Sequence, residues 1–172
     1  MTMPAQQIWQ TRPETPSDIG DIRRINLAAF DTAAEADLVD ALRADPAWID
    51  GLSIISATAD GVAVGYALLT RCHLDDTPAL CLAPCSVLPE YQRRGAGSAA
   101  IRAVLTAAKA AGESFVVVLG HPGYYPRFGF RRASQYGIRL TIDVPDDALM
   151  ATSLTDRPLP GGTVRYAAPF GI

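Results

Sequence analysis

The chain has 172 residues, of which 49% are hydrophobic and 19% are charged, and its formal net charge is −3. This length and composition predict one soluble globular domain over residues 1–172. Without an excess of basic residues, nucleic acid is a poor partner. The N-terminus has no apolar signal-peptide core and no run approaches the length of a membrane span, so we expect a cytoplasmic protein with no membrane partner.

The three cysteines, Cys72, Cys81 and Cys85, lie in apolar stretches and lack the C-x-x-C spacing of a metal or redox site. Only two histidines, His73 and His121, could complete a metal shell. We therefore expect reduced, mostly buried thiols and no metal site.

The first half of the chain predicts one strand, two helices and a hairpin. Residues 8–14 are typical of a strand, and Ser17 is the predicted N-cap of a helix that runs to about residue 30. A second helix covers residues 32–45 and stops before Pro46. Two β-rich runs then surround Asp60-Gly61, which is a strong hairpin signal.

The second half predicts a strand–helix–strand unit. Residues 79–88 form a strand that contains Pro84, and a proline inside a strand indicates a bulge or a point where neighbouring strands separate. A helix from about Gly95 to Gly112 follows, and then an apolar strand, residues 114–120, parallel to the previous one. The segment 121–130 is predicted as a turn or short helix leading into a further strand. The fold class is therefore α/β, with a mostly antiparallel start and one parallel crossover.

The segment before the long helix, RRGAGS, carries the features of an anion site. Helix N-termini present free N–H groups and the positive end of the helix dipole. Glycine at positions 95 and 97 lets an anion reach the backbone, and Arg93 and Arg94 add positive charge. A tight turn with solvated arginines is the alternative, and this segment alone does not decide between the two.

Two common phosphate ligands are disfavoured by the surrounding sequence. GAGSAA fits the dinucleotide pattern G-x-G-x-x-A, but that pattern follows its strand directly and is paired with an acidic residue about 20 positions on. Here PEYQRR intervenes, and the next strand ends in VVLGHPG without an acid. The Gly-Lys-Ser/Thr of an ATP-binding loop is missing as well. NAD and ATP are therefore poor ligands, which also disfavours a nucleotide-binding oxidoreductase.

CSVLPEYQRRGAGSAAI resembles the acetyl-CoA signature Q/R-x-x-G-x-G/A of the GNAT superfamily of N-acetyltransferases, with Gln92, Gly95 and Gly97 in the motif positions. YYPRFGF resembles the family's later element Y-x-x-x-G-F, with Tyr125 in the tyrosine position. The likeness covers residues 8–142. The segment 162–170 resembles a bacterial subgroup of predicted N-acetyltransferases whose chains close on G-T-V-x-Y-x-x-x-F. The resemblance implies a mixed central sheet with splayed parallel strands and helices on both faces.

The resemblance also implies acetyl-CoA as cosubstrate, a primary amine as acceptor and direct attack in a ternary complex. It assigns the pyrophosphate to the turn formed by Arg93, Arg94, Gly95, Ala96, Gly97 and Ser98. The pantetheine arm is assigned to the strand backbone at Cys85, Ser86 and Val87. Tyr125 is the implied proton donor for the leaving thiolate, with Tyr124 as its neighbouring rival. His121 follows the second splayed strand and is the candidate base.

Several alternatives stay open at the level of sequence. Cys85 is either a nucleophile or, as is commoner on a strand, a small buried hydrophobe. The loop residues His73, Asp75 and Asp76 are further candidates to contact the acceptor. The tail, residues 143–172, either shapes the acceptor pocket or only covers a sheet edge. A non-catalytic acyl-CoA-binding domain is the competing function, and the sequence leaves the acceptor and the oligomeric state, a homodimer included, undetermined.

Overall fold

A computed structural model of the protein describes residues 8–172. Within this range three helices and nine strands form a mixed α/β fold. The helices are α1 (Ile19–Ala29), α2 (Ala34–Arg43) and α3 (Ala96–Ala110). The strands are β1 (Gln10–Pro13), β2 (Ser53–Ala57), β3 (Ala63–Leu74), β4 (Thr77–Val87), β5 (Phe115–Leu119), β6 (Arg131–Arg132), β7 (Ile138–Arg139), β8 (Leu149–Ser153) and β9 (Gly162–Arg165). None of the helices in the described range is long and apolar enough to cross a membrane.

The sheet has the strand order β1-β2-β3-β4-β5-β8-β6, and every neighbouring pair in it is antiparallel except β4 and β5. β9 pairs with the C-terminal end of β3, at His73 and Leu74, where β3 has no pairing with β2. β7 pairs with β9 in parallel. The predicted mixed sheet with one parallel crossover is therefore confirmed.

Alternation along the strands divides the core between the two faces of the sheet. Val116 and Val118 of β5 pack with α3, whereas Phe115 and Val117 pack on the opposite face among residues from β7 to β9. That opposite face is completed by α1 and α2, which bury Tyr66 and Leu68 of β3. Helices on both faces, as predicted, sandwich the sheet.

The two parallel strands separate at the bulge that Pro84 predicts. Ala67 and Leu69 of β3 are paired with Cys85 and Leu82 of β4, so β4 has one extra residue here. β5 pairs with β4 only at Leu80 and Cys81. The next six residues of β4 are therefore without a β5 partner, and a gap opens between the strands.

One local prediction needs correction. Ser17 does not cap α1; it lies in a 3₁₀ turn, and the Asp18 carboxylate accepts the Thr15 backbone N–H at 2.7 Å. The tail, residues 143–172, pairs with the sheet in two places. Its first strand, β8, lies beside β5 and buries Met150 under α3, and β9 pairs with β3.

Candidate active site

The turn that begins α3 exposes a row of backbone donors. None of the N–H groups of residues 93–98 donates a hydrogen bond to a protein group in the described part of the chain. The first helical bond is Ala99 N–H to the Gly95 carbonyl, at 2.9 Å. Such a turn at a helix N-terminus favours a bound anion.

The two glycines of this turn have different physical roles. Gly95 has φ = +93°, which a residue with a Cβ rarely adopts. Gly97 lies close to the end of β4, and a Cβ there would approach Cγ2 of Val87 to 3.0 Å and Oη of Tyr124 to 3.7 Å. Glycine at 97 therefore keeps the space between α3, β4 and the tyrosine open.

Side-chain hydrogen bonds hold this turn against the sheet. The Ser56 hydroxyl donates to the Ala96 carbonyl at 2.8 Å, and the Trp9 indole donates to the Arg94 carbonyl at 2.9 Å. The Gln92 amide donates to the carbonyl of Val87 at 3.2 Å. Because these bonds use carbonyls, they fix the turn and leave its N–H groups free.

An open cleft of about 790 Å³ lies in front of the turn. Arg93 lines it from the turn and Arg127 lines it from the opposite side, together with Val87, Gln92, Gly95, Gly97, Ser98, His121 and Tyr124. The side chain of Arg94 is directed elsewhere, with its guanidinium 6.0 Å from the Tyr91 ring centre. Positive side chains and free backbone donors together suit a phosphate group.

A second cavity, of about 260 Å³, lies where β4 and β5 separate. Its walls come from the end of α1, the bulged end of β4, α3 and the segment after β5: Ala29, Phe30, Cys85, Ser86, Val87, Gln92, Gly97, Ile101, Tyr124 and Tyr125. Gly97, Val87, Gln92 and Tyr124 line the cleft as well. The two spaces are therefore adjacent, and the cavity extends from the cleft toward α1.

Tyr125 reaches this cavity from a short 3₁₀ helix, Tyr125–Phe128. Its ring makes an edge contact with Phe130, with centres 6.0 Å apart, and a Cβ at Gly120 would overlap it. Burial, and then the nearby Cys85, raise the pKa of Tyr125 well above its ordinary value of 10. The phenol is therefore protonated throughout the neutral range.

Cys85 lies beside Tyr125 in the cavity. Burial raises the pKa of the Cys85 thiol to about 12, and the neighbouring Tyr125 hydroxyl opposes this rise. A thiol with this pKa is a poor nucleophile at neutral pH, because the thiolate is the reactive form. All three cysteines are free thiols, and Cys72 and Cys81 are buried.

Ser86 is held by a buried contact from α1. Its hydroxyl donates to the side-chain oxygen of Asn26 at 2.8 Å, and the Asn26 amide donates to the Ile22 carbonyl at 3.0 Å. Asn26 is fully buried. α1 is thereby attached to the strand segment that forms the cavity wall.

His121 is exposed and lines the cleft, while the cavity with Cys85 and Tyr125 is lined by other residues. Its backbone carbonyl accepts the N–H groups of Tyr124 and Tyr125, at 3.1 and 3.4 Å. His121 thus shapes the turn that carries Tyr125, and its role as a base stays a prediction.

The loop candidates lie at the other end of the sheet. His73, Asp75 and Asp76 surround the β3–β4 turn, eight to eleven residues along β4 from Ser86, or roughly 30 Å at the rise of a strand. Asp75 accepts the Thr163 N–H at 3.0 Å, and Asp76 lies 3.7 Å from Arg165. These residues attach the tail to the hairpin and do not reach the cavity.

Arg127 and Gly120 are among the residues of the site that were not identified from the sequence. Arg127 stands inside the YYPRFGF motif, but its spacing does not reveal that it faces the cleft. Gly120 ends a strand, and only the packed ring of Tyr125 explains why it has no side chain. Both depend on contacts between segments that meet only in the folded chain.

Known proteins share this sequence and architecture. Residues 19–130 match the model of the acetyltransferase (GNAT) family. The uncharacterized N-acetyltransferase YjhQ of Escherichia coli is 38% identical over 162 residues, which cover 89% of each chain. The crystal structure of the E. coli GNAT family N-acetyltransferase YhbS in complex with CoA has a TM-score of 0.89 at 26% identity, covering 100% of this chain and 96% of that one. A Brucella melitensis GNAT family acetyltransferase, solved in complex with acetyl-CoA, has a TM-score of 0.78 at 29% identity, covering 95% of this chain and 99% of that one. The chain belongs to the acetyltransferase (GNAT) family, and it is an acyltransferase of the N-acetyltransferase type.

Proposed function

We propose that the protein transfers the acetyl group of acetyl-CoA to a primary amine by direct attack in a ternary complex. The observation that carries this proposal is the turn 93–98, whose free N–H groups face a cleft that is continuous with the gap between β4 and β5. YhbS and the Brucella enzyme, which share this fold, are complexed with CoA and acetyl-CoA.

In this proposal the pyrophosphate lies on the N–H groups of residues 93–98. Arg93 and Arg127 supply positive charge from the two sides of the cleft. The pantetheine arm follows the backbone of Cys85, Ser86 and Val87, whose β5-facing edge is without a strand partner. The thioester then lies in the cavity beside Tyr125.

Acetyl transfer requires the amine nitrogen to form a bond to the thioester carbon. A backbone N–H of residues 85–87 stabilises the negative oxygen of the tetrahedral intermediate. The carbon–sulfur bond then breaks, and Tyr125 donates its proton to the departing thiolate. The amine must be neutral when it attacks, so its ammonium form first loses a proton. His121, which lines the adjacent cleft, is the proposed acceptor of this proton through a water molecule.

The high pKa of Cys85 supports direct attack over an acetyl-cysteine intermediate. A protonated, half-buried thiol beside a tyrosine is a weak nucleophile. Cys85 then serves as a wall of the cavity.

We assign the acceptor to the side of the cavity that opens toward α1. Phe30 lines the cavity there, and Phe170 of the tail packs both against the α1–α2 cluster and against the cluster of the tail. Neither the cavity nor the cleft is lined by residues 143–172. This arrangement supports a tail that takes no part in holding CoA and that affects the acceptor side indirectly, through the packing of Phe170 on the α1–α2 cluster.

The test is turnover of acetyl-CoA, measured as free thiol, against a panel of amines. The panel contains peptides with a free N-terminal amine, lysine, aminoglycosides and polyamines. Amine-dependent release of CoA with acetylated product supports the proposal. CoA binding without turnover of any amine would favour the competing acyl-CoA-binding domain.

A further inference from the structure

Tyr124 connects the two parts of the site. Its hydroxyl shares a hydrogen bond of 2.9 Å with the hydroxyl of Ser98, which lies in the first turn of α3 and lines the cleft. Its ring makes an edge contact with Tyr125, with centres 5.1 Å apart. Tyr124 also lines both the cleft and the cavity.

The other contacts of Tyr124 come from its own turn. The Arg127 Nε donates to the Tyr124 carbonyl at 2.8 Å, and the Arg127 guanidinium lies 4.4 Å from the centre of its ring. Phe128 contacts the ring edge at 5.3 Å between centres. The turn is therefore packed around the ring of Tyr124, and the Tyr124 hydroxyl is its polar link to α3.

We propose that Tyr124 is a positioning residue that couples the occupancy of the phosphate turn to the placement of Tyr125. This inference rests on the proposed function. A phosphate held by the N–H groups of residues 93–98 fixes Ser98, and the bond from Ser98 then fixes Tyr124. Because Tyr125 packs on Tyr124, binding of acetyl-CoA also orders Tyr125, the proposed proton donor.

A small displacement of Tyr125 from its ordered position would have a large effect on the rate of acetyl transfer. Catalytic groups act within about 0.5 Å of their productive position, so a loosened turn lowers turnover while the phosphates still bind. Tyr124→Phe keeps the ring and its packing and removes only the link to Ser98. It therefore separates the coupling from a merely structural role.

The experiment measures hydrogen exchange of the backbone amides of residues 121–129 with and without CoA. Wild type, Tyr124→Phe, Ser98→Ala and the double variant are compared. In wild type, CoA slows exchange in this turn. All proteins are compared at saturating CoA, so that a change in affinity does not affect the result. Each single variant loses most of the slowing, and the double variant resembles the single ones because the two substitutions remove the same hydrogen bond.

Arg102→Gln is the matched control. Arg102 makes a different contact between α3 and this turn, with its guanidinium 4.8 Å from the Phe128 ring centre, and it lines neither the cleft nor the cavity. This variant should keep the slowing of exchange. Equal slowing in Tyr124→Phe and wild type would overturn the coupling, as would an equal loss in Arg102→Gln. A wild type that does not bind CoA would overturn the proposed function itself, and the coupling with it.

Discussion

At the scale of single residues, the proposed chemistry depends on a phenol kept protonated next to a protonated thiol. Tyr125 and Cys85 are placed together by the bulge at Pro84 and by the turn after β5. Burial raises the pKa of both groups, so neither is charged before a thiolate forms in the reaction. In the proposed reaction the departing thiolate forms beside the Tyr125 hydroxyl, which is still protonated and can donate to it.

Tyr125→Phe should lower turnover by about 10²-fold, which is in the range for a lost general acid. The dissociation constant for CoA should change little, because the ring still fills its place next to Gly120. Steady-state kinetics with the best amine of the panel give the first quantity, and calorimetry gives the second. Tyr136→Phe, which removes a phenol from the opposite face of the sheet, is the control. If Tyr125→Phe and wild type have equal rates, the proton comes from elsewhere, with water as the next candidate.

The sequence predicts part of this residue-scale account. Gly95 and Gly97 were identified because short-range spacing around a helix start is visible in the chain. The pairing of Tyr125 with Cys85 was not, since 40 residues separate them and only the sheet brings them together. Arg127 was missed for the same reason, and the separation of His121 from the cavity depends on the path of the turn.

At the scale of elements, α1 positions the cavity wall through Asn26 and Ser86. The start of α1 is fixed by Asp18, whose side chain is 7% exposed and pairs with Arg12 at 2.6 Å. The hydrogen bond from Arg12, and the N–H and hydroxyl of Thr15, hold the pKa of Asp18 well below its ordinary value of 3.8 against the effect of burial.

Asp18→Asn should lower the free energy of unfolding at pH 7 by about 1–2 kcal/mol, because it weakens the capping box that Asp18 forms with Thr15 and the charged hydrogen bond from Arg12. The folded pKa is lowered, so the stabilisation by Asp18 is present above pH 3.8 and is lost as the pH falls below it. Urea unfolding at pH 7 and at pH 3 measures both effects.

Asp21→Asn on the same helix is the control, since Asp21 is half exposed and its pair with Arg24 has a distance of 3.5 Å. Its effect should stay within about 0.5 kcal/mol. An Asp18→Asn difference that is the same at pH 3 as at pH 7 would refute the role given to the carboxylate.

Most elements were predicted because their signals are local. Asp60-Gly61, Pro46 and Gly112 each mark a boundary that the structure confirms, and Pro84 lies at the predicted bulge inside β4. Ser17 was wrongly predicted as the N-cap of α1. The local sequence does not reveal that Arg12 of β1 pairs with Asp18 at the start of this helix. β8 was missed as a sheet strand, since its place beside β5 depends on long-range pairing.

At the scale of the whole molecule, the tail completes the sheet and covers the face next to α1 and α2. β8 supplies a strand beside β5, and β9 pairs with β3. Removing residues 142–172 would therefore delete a buried strand, and a substitution near the chain end is the better test of the acceptor pocket.

Phe170→Ala should raise the acceptor KM by about threefold, because it removes packing against the α1–α2 cluster, and Phe30 at the end of α1 forms the cavity wall on the proposed acceptor side. The dissociation constant for acetyl-CoA should not change, because the tail lines neither the cleft nor the cavity. Ile172→Ala, which alters an exposed side chain two residues away, is the control. An unchanged acceptor KM in Phe170→Ala would leave the tail with only its role of covering the sheet.

The most direct test of the account is calorimetric titration of acetyl-CoA into wild type, Gly97→Val and Gly20→Val. Gly97 and Gly20 are each the second residue of a helix, but a Cβ at Gly20 would meet nothing within 4 Å. If the pyrophosphate lies on the turn 93–98, Gly97→Val weakens acetyl-CoA binding by at least about tenfold, whereas Gly20→Val binds like wild type. Equal affinity of Gly97→Val and wild type would contradict the account.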